Sequence, residues 1–134
     1  MVLTTHPDLE LIKIYVEIEG LDPIEVPLGK GDIEVKIPEH TKYTQTFHFK
    51  VKNKPLKKFW FKVTAKKHGI TVNERTTEVG DEFEPREEEY VERLPEQETP
   101  GGFLIRGRFP TVSTYYSGDE VLIESPWTLE ITKK

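Results

Sequence analysis

The sequence predicts an all-β fold, an antiparallel β-sandwich of eight to nine strands with at most one short helix. Three observations support this fold: apolar and polar residues alternate with period two, turn-forming residues recur at short intervals, and aromatic residues collect on single faces of the alternating segments. The 134 residues are enough for one domain with a core between two layers. We therefore expect a short tail at residues 1–10 and one sandwich at residues 11–134.

The first strands are predicted from alternation. From Ile12 to Gly20, apolar residues alternate with mostly polar ones. Residues 43–51 and 59–65 alternate in the same way, and each places aromatic residues on one face. Because a face rich in aromatic residues is suited to burial, both segments are predicted to be core strands.

The later strands are predicted from composition and punctuation. Residues 70–79 are rich in Thr and favour a strand, and residues 103–116 predict a long strand with a bend at Pro110. Trp127, Leu129 and Ile131 share one face of the last strand. Only residues 82–99 lack strand character, and this segment has room for one short helix around residues 85–90, where Pro85 suits a first turn.

Turn signals separate these segments. They contain the turn-forming residues Gly, Pro, Asp and Ser, and they recur at the spacing typical of an antiparallel sandwich. They lie at residues 21–23, 29–32, 67–69, 100–102 and 117–119.

Composition excludes several classes of function. The net charge of −5 disfavours binding to nucleic acid, and the absence of Cys removes disulfides and thiolate chemistry. The first ten residues do not resemble a signal peptide, and no run of about 18 apolar residues is present, so we expect a soluble, cytoplasmic protein. Neither a catalytic constellation nor a metal site is predicted, and no cofactor is expected, because the four His residues are scattered. They are His6, His40, His48 and His68.

An acidic segment at residues 78–98 has two interpretations. It is a solvated loop, or it is a docking surface for a basic peptide, and its spacing does not decide between them. The segment also contains two Arg residues, Arg86 and Arg93. Its acidic residues are Glu78, Asp81, Glu82, Glu84, Glu87, Glu88, Glu89, Glu92, Glu96 and Glu98.

Residues 50–69 are basic and contain no acidic residue. The plain interpretation is the outward polar face of two strands, and the alternative is a surface that touches anionic lipid headgroups transiently. The lysines are Lys50, Lys52, Lys54, Lys57, Lys58, Lys62, Lys66 and Lys67.

Three stretches carry a family resemblance. Residues 84–90 read EPREEEY, residues 100–107 read PGGFLIRG, and residues 114–120 read TYYSGDE and lead to Trp127. In this order and spacing they resemble the C-terminal immunoglobulin-like domain of the Rho GDP-dissociation inhibitors, and the resemblance spans residues 11–134. It implies an immunoglobulin-like β-sandwich without catalytic residues.

The resemblance also implies a function. The two sheets would hold the isoprenoid tail of a prenylated Rho-type small GTPase and solubilise the GTPase from membranes. Geranylgeranyl rather than farnesyl is the expected lipid, contact with the membrane surface is expected to be transient, and the protein is expected to be a monomer.

The resemblance implies which residues form the site. The lipid-binding positions are Ile14, Val35, Tyr43, Phe47, Phe49, Phe61, Leu104, Tyr115, Trp127 and Leu129. The positions that would contact the GTPase or its basic tail are Glu74, Glu96, Glu98, Asp119 and Glu120.

The chain also departs from the family pattern. The family's tandem tryptophans reduce to Trp127, aromatic pocket positions become Lys66 and Thr77, and Tyr-Gly-Pro becomes Phe-Glu-Pro at residues 83–85. Only about ten residues precede the first predicted strand, so we expect neither the family's N-terminal arm nor its inhibition of GDP release.

Two alternative functions stay open at this point. One is an interaction module with a closed core that binds a basic partner through the acidic segment, in which case the apolar stripes are ordinary core. The other is a carrier nearer the δ subunit of the rod phosphodiesterase, which shares the sandwich and prefers farnesylated cargo.

Overall fold

A computed structural model describes residues 4–29, 32–101 and 106–134 of the chain. These residues form ten strands in two sheets and no helix, so the predicted all-β sandwich is confirmed with one or two more strands than expected. The strands are β1 (Leu9–Ile18), β2 (Ile24–Pro27), β3 (Glu34–Pro38), β4 (Lys42–Val51), β5 (Leu56–Lys67), β6 (Ile70–Phe83), β7 (Tyr90–Arg93), β8 (Gln97–Glu98), β9 (Gly107–Ser117) and β10 (Glu120–Thr132).

The strands are divided between two five-stranded sheets. The first has the order β2, β1, β4, β7, and β8 also pairs with β4. The second has the order β3, β10, β9, β5, β6. The pair of β3 with β10 is parallel, which corrects the expectation of a wholly antiparallel sandwich. Because β4 and β5 lie in different sheets, the chain crosses between the layers at residues 52–55.

The alternation in the sequence matches the faces of the strands. In β4, Phe47 and Phe49 are fully buried and Lys50 between Phe49 and Val51 is not. In β5, Phe59 and Phe61 are buried in the same alternating manner. The prediction that both segments are core strands is therefore confirmed, because successive side chains of a strand point to opposite faces.

The turn between β5 and β6 has the chemistry that a tight hairpin requires. His68 has φ of 53° and Gly69 has φ of 79°. Two successive residues with positive φ form the turn whose twist matches that of the flanking strands. Gly accepts this conformation without a steric penalty, which explains why the predicted turn falls at this point.

The long strand β9 pairs with β10 through Pro110 without a register shift at that residue, and the register shift between the two strands lies at Val121/Ile123. Its pairing with β5 covers Thr111 to Ser117, so Pro110 lies beyond that ladder. A proline without an N–H is tolerated where no ladder hydrogen bond is required of it. The predicted start of this strand at Phe103 lies outside the described residues.

Residues 82–99, the segment judged to lack strand character, contain two short strands and no helix. β7 and β8 pair with β4, and the segment before β7 is held by its own side chains. The Arg86 guanidinium donates to the carbonyls of Glu88 and Glu89 at 3.2 Å each and lies 3.6 Å from the centre of the Tyr90 ring. Pairing with β4 and these local bonds satisfy the backbone here, and the described residues contain no helix, which is within the predicted limit of at most one short helix.

Aromatic rings fill one end of the sandwich, which we call the closed end. Phe47, Phe49, Phe59, Phe83 and Tyr115 belong to one buried cluster there. Their ring centres lie close together, 4.8 Å for Phe47 and Phe49 and 5.0 Å for Phe49 and Phe59. Rings at these separations pack favourably beyond the area they bury.

Aliphatic residues form a second cluster toward the opposite end. Val16 and Ile18 of β1 face Val35 and Ile37 of β3, and Trp127 packs against them. β1 runs from the closed end, where Leu9 and Leu11 are buried, to this cluster. The sandwich is therefore packed with large rings at one end and smaller branched side chains at the other.

Candidate functional site

A cavity of about 120 Å³ lies between the two sheets beside the aliphatic cluster. Protein interiors hold few voids larger than a water molecule, so an internal space of this size stands out. Its walls are mostly apolar and come from both layers. The apolar lining includes Ile14, Val16, Val26, Leu28, Ile33, Val35, Ile37, Phe61, Val63, Trp127, Leu129 and Ile131.

The size of the inward-facing side chains explains why the cavity exists. At the closed end the second sheet contributes Phe59 and Tyr115, whereas further along it contributes Ala65, Ser113 and Ser125. These three side chains are too small to reach the opposite sheet across the usual spacing of about 10 Å. The sheets stay apart, and the space between them is left unfilled.

Seven of the ten predicted lipid-binding residues line this cavity. They are Ile14, Val35, Tyr43, Phe61, Tyr115, Trp127 and Leu129.

The other three predicted residues do not line it. Phe47 and Phe49 lie in the closed end, each with 0 % of its surface exposed, and are not among the lining residues. The structure therefore places these two rings in the core rather than at the cavity wall, because rings on both sides fill the space around them. Leu104 lies outside the described residues.

Several lining residues were missed in the sequence. Val63 and Ala65 were predicted to face inward with Phe61 but were assigned to core. Ser113 and Ser125 face inward and are buried. The alternation of inward and outward residues could have identified them as cavity-lining residues, since a small residue that faces inward leaves space in a core.

One corner of the cavity is polar, and we call it the polar corner. It consists of Tyr43, Arg75, Thr77 and Gln97, all of which line the cavity. The Arg75 guanidinium donates from Nη1 to the Gln97 amide oxygen at 2.6 Å and to the Tyr43 hydroxyl oxygen at 3.1 Å. Burial raises the pKa of Tyr43, and the nearby positive charge of Arg75 opposes this rise.

The polar corner joins the two sheets at one edge. Arg75 and Thr77 belong to β6 of the second sheet, whereas Tyr43 and Gln97 belong to β4 and β8 of the first. The Tyr43 hydroxyl donates to the Gln97 amide oxygen at 2.9 Å. Because charge-assisted hydrogen bonds are stronger than neutral ones, Arg75 ties the sheets together at this edge.

Trp127 is oriented by a hydrogen bond within the cavity wall. Its indole Nε1 donates to the Ser113 hydroxyl at 2.9 Å. Ser113 and Trp127 lie on neighbouring strands of the second sheet. The bond satisfies the polar atom of a half-buried indole and presents the rest of the ring to the cavity.

The five predicted acidic contacts fall at two ends of the molecule. Glu74, Glu96 and Glu98 are exposed neighbours of the polar corner in the chain. Asp119 lies beside Phe59 and Trp60, and the Glu120 carboxylate lies 3.4 Å from the His6 imidazole. These last two residues are therefore at the closed end, away from the cavity.

The predicted basic face is not continuous. Lys50 and Lys52 extend from β4 and its end in the first sheet, whereas Lys62 and Lys66 belong to β5 in the second. The outer faces of the two sheets point in opposite directions. The eight lysines are therefore distributed over two sides of the sandwich, which corrects the expectation of one basic face.

Within the described part of the chain, no helix is long and apolar enough to span a membrane.

Comparison with known proteins supplies a family match along nearly the whole chain. The model of a family described as RHO protein GDP dissociation inhibitor matches residues 2–134. A probable rho GDP-dissociation inhibitor of Caenorhabditis elegans is 31 % identical over 108 residues, which cover 80 % of this chain and 56 % of that protein.

Two further relatives carry related names. The Rho GDP-dissociation inhibitor of Saccharomyces cerevisiae is 32 % identical over 103 residues, covering 74 % of this chain and 50 % of that protein. Rho GDP-dissociation inhibitor 1 of Arabidopsis thaliana is 27 % identical over 120 residues, covering 79 % and 50 %. The chain thus spans about half the length of the curated relatives it matches.

Proposed function

The chain belongs to the Rho GDP-dissociation inhibitor family, and on this premise we propose that it holds the isoprenoid tail of a prenylated Rho-type small GTPase between its two sheets. By covering that tail it solubilises the GTPase in the cytoplasm after a transient contact with the membrane surface. The observation that carries the proposal is the apolar cavity between the sheets. An extended hydrocarbon chain is a ligand that such walls can bind without specific polar contacts.

The energy of binding comes from burial of the hydrocarbon. Each CH₂ group removed from water contributes about 0.8 kcal/mol, so a geranylgeranyl chain supplies several kcal/mol. The cavity of about 120 Å³ is below the range of roughly 300–1,000 Å³ for drug-sized ligands. The lipid therefore has to move the walls apart as it enters.

Two short edge strands form the wall that can move at the lowest cost. β2 has four residues paired with β1, and β3 has five paired with β10. Val26 of β2 and Val35 of β3 line the cavity. Because each strand has few ladder bonds and lies at the edge of its sheet, outward displacement breaks little of the structure.

The exposed acidic residues near the polar corner give the ligand its orientation. A GTPase tail that is basic before its prenylated cysteine would meet Glu74, Glu96 and Glu98 while the lipid enters the cavity. Such contacts raise the association rate and set the orientation more than they raise affinity. Asp119 and Glu120, at the closed end, are proposed to contact the body of the GTPase.

A fluorescence titration tests the proposed function. A dansyl-labelled basic peptide that ends in geranylgeranyl-cysteine is expected to bind saturably, and the same peptide without the lipid is expected to bind at least a hundredfold more weakly, because it lacks the buried hydrocarbon. A farnesyl peptide is expected to bind more weakly than the geranylgeranyl one.

The other possible results of this titration favour the two alternative functions. Equal, salt-sensitive binding of the lipidated and unlipidated peptides would contradict the proposal and favour a module that binds basic partners through residues 78–98. Tighter binding of the farnesyl peptide would instead favour the carrier that prefers farnesylated cargo.

Removal of the acidic residues near the cavity should weaken binding of the basic peptide. The triple substitution Glu74→Gln, Glu96→Gln and Glu98→Gln is expected to lower its affinity about tenfold at low salt, since each exposed ion pair contributes about 0.2–1 kcal/mol. A geranylgeranyl peptide with neutral residues in place of the basic ones should bind both proteins equally.

A matched variant controls for net charge. The control is the triple variant Asp81→Asn, Asp119→Asn and Glu120→Gln, which removes the same charge at the closed end. The basic geranylgeranyl peptide should bind this variant as it binds the unmodified chain. If both triple variants lose affinity equally, long-range charge rather than local contact attracts the tail.

A further inference from the structure

Arg75 is a cation at the cavity with neutral partners. Its guanidinium bonds the Tyr43 hydroxyl, the Gln97 amide oxygen and, at 3.4 Å from Nη2, the backbone carbonyl of Glu98. Among the residues that the structure describes, no carboxylate forms an ion pair with it. By contrast, Arg93, Arg106 and Arg108 each have a carboxylate within 3.1 Å.

The guanidinium keeps donors available for a ligand. A guanidinium carries five N–H donors in a planar fork, and two of the three contacts share Nη1. The contact of Nη2 with Glu98 is long, beyond the usual range for an N–H···O bond. A carboxylate is the acceptor whose geometry matches this fork.

The surroundings of Arg75 favour an anion at close range. Its direct neighbours are the neutral polar side chains of the polar corner, and the other walls of the cavity are mostly apolar. A charge next to apolar surface is costly unless an opposite charge pairs with it. Glu74, Glu96 and Glu98, which adjoin polar-corner residues in the chain, are exposed to solvent, and the Glu74 carboxylate accepts from the Thr64 hydroxyl at 3.4 Å. Water and salt screen these acids, whereas Arg75 lies at the cavity itself.

We propose that Arg75 binds a carboxylate at the head of the lipid, so that the cavity selects an apolar chain that carries a free carboxylate over its neutral ester. The inference rests on the proposed function and adds the chemistry of the ligand's head. In a prenylated protein this group is the C-terminal carboxylate of the prenylcysteine, which lies beside the thioether at the base of the lipid. A free fatty acid has the same chemistry.

The position of Arg75 suits the head of the ligand rather than its tail. The guanidinium reaches the backbone of β8, whose Glu98 is exposed at the edge of the first sheet, so this corner of the cavity lies next to exposed surface. Basic residues preceding the cysteine would meet the exposed acids, and the terminal carboxylate would meet Arg75. The two ends of one short peptide would thus be distinguished by charge.

The test compares two ligands that differ in one charge. S-geranylgeranyl-N-acetylcysteine as the free acid is expected to bind the full chain about tenfold more tightly than its methyl ester. A difference of about tenfold is at the low end of what a charge-assisted hydrogen bond contributes, because the site is partly exposed. Arg75→Met should bind both ligands equally, at the affinity of the ester for the unmodified chain.

Control variants separate a binding role from a structural one. Arg75→Lys keeps the charge and should retain part of the preference. Arg93→Met removes the same charge from the surface and should retain all of it. A loss of affinity for acid and ester by the same factor in Arg75→Met would overturn the proposal, since it would mean that Arg75 only ties the sheets together.

The outcomes also distinguish this inference from the proposed function. Tight but equal binding of acid and ester to the unmodified chain would overturn the carboxylate site and leave prenyl binding intact. Binding of neither would overturn both. Palmitate, a free fatty acid, tests the source of the carboxylate. If palmitate binds more tightly than the prenylcysteine acid and its binding depends on Arg75, the carboxylate site is supported and its ligand is a fatty acid.

Discussion

The substitution Phe49→Ala is expected to lower the free energy of unfolding by about 3–5 kcal/mol, the cost typical of deleting a buried ring. Phe49 has 0 % of its surface exposed. Its ring centre lies 4.8 to 5.4 Å from those of Phe47, Phe59, Phe83 and Tyr90. Removal of the ring leaves a void that these neighbours cannot close without losing contacts with one another.

Chemical denaturation followed by Trp fluorescence measures this loss, and Leu129→Ala provides a matched comparison. Leu129 is partly exposed and lines the existing cavity, so its truncation enlarges a space that is already present and should cost less. If the two variants lose similar stability, the closed end is not the main source of stability. Prenyl-peptide binding by folded Phe49→Ala should be retained, because this ring is not part of the cavity wall.

The substitution Val63→Phe is expected to have the largest effect on lipid binding. Val63 lines the cavity on β5, and a benzyl group there would occupy space that the lipid needs. Exclusion of about four CH₂ groups, at about 0.8 kcal/mol each, would weaken binding of the geranylgeranyl peptide by roughly a hundredfold. Stability should be unchanged or slightly higher, since the added ring fills a void.

Thr64→Phe controls for the change of residue type. Thr64 adjoins Val63 on the same strand, so its side chain points to the outer face, and it is not a cavity-lining residue. Because the Thr64 hydroxyl bonds Glu74, the comparison uses the geranylgeranyl peptide with neutral residues, which Thr64→Phe should bind normally. Val63→Phe that is folded and still binds with full affinity would show that the lipid is held elsewhere.

Much of the fold could be predicted because alternation reports which face of a strand is buried. It correctly grouped Phe47 with Phe49 and Phe61 with Val63 as inward residues. It failed at residues 82–99, where charge and Pro85 suggested a loop or helix. There β7 (Tyr90–Arg93) forms because it pairs with β4, which is distant in the sequence. A short edge strand that carries charged residues shows no alternation of apolar and polar residues by which it could be recognised.

The all-β class, the main strands and the turn at residues 67–69 could be read from the sequence, because they depend on residues close together in the chain. Which inward residues meet across the sheets depends on how the two layers stack. Phe47 and Phe49 meet other rings and close the core, whereas Val63, Ala65 and Ser113 leave a cavity. Arg75 is opposite Tyr43 and Gln97 for the same reason: two layers must stack before it is known which side chains fill the space between them.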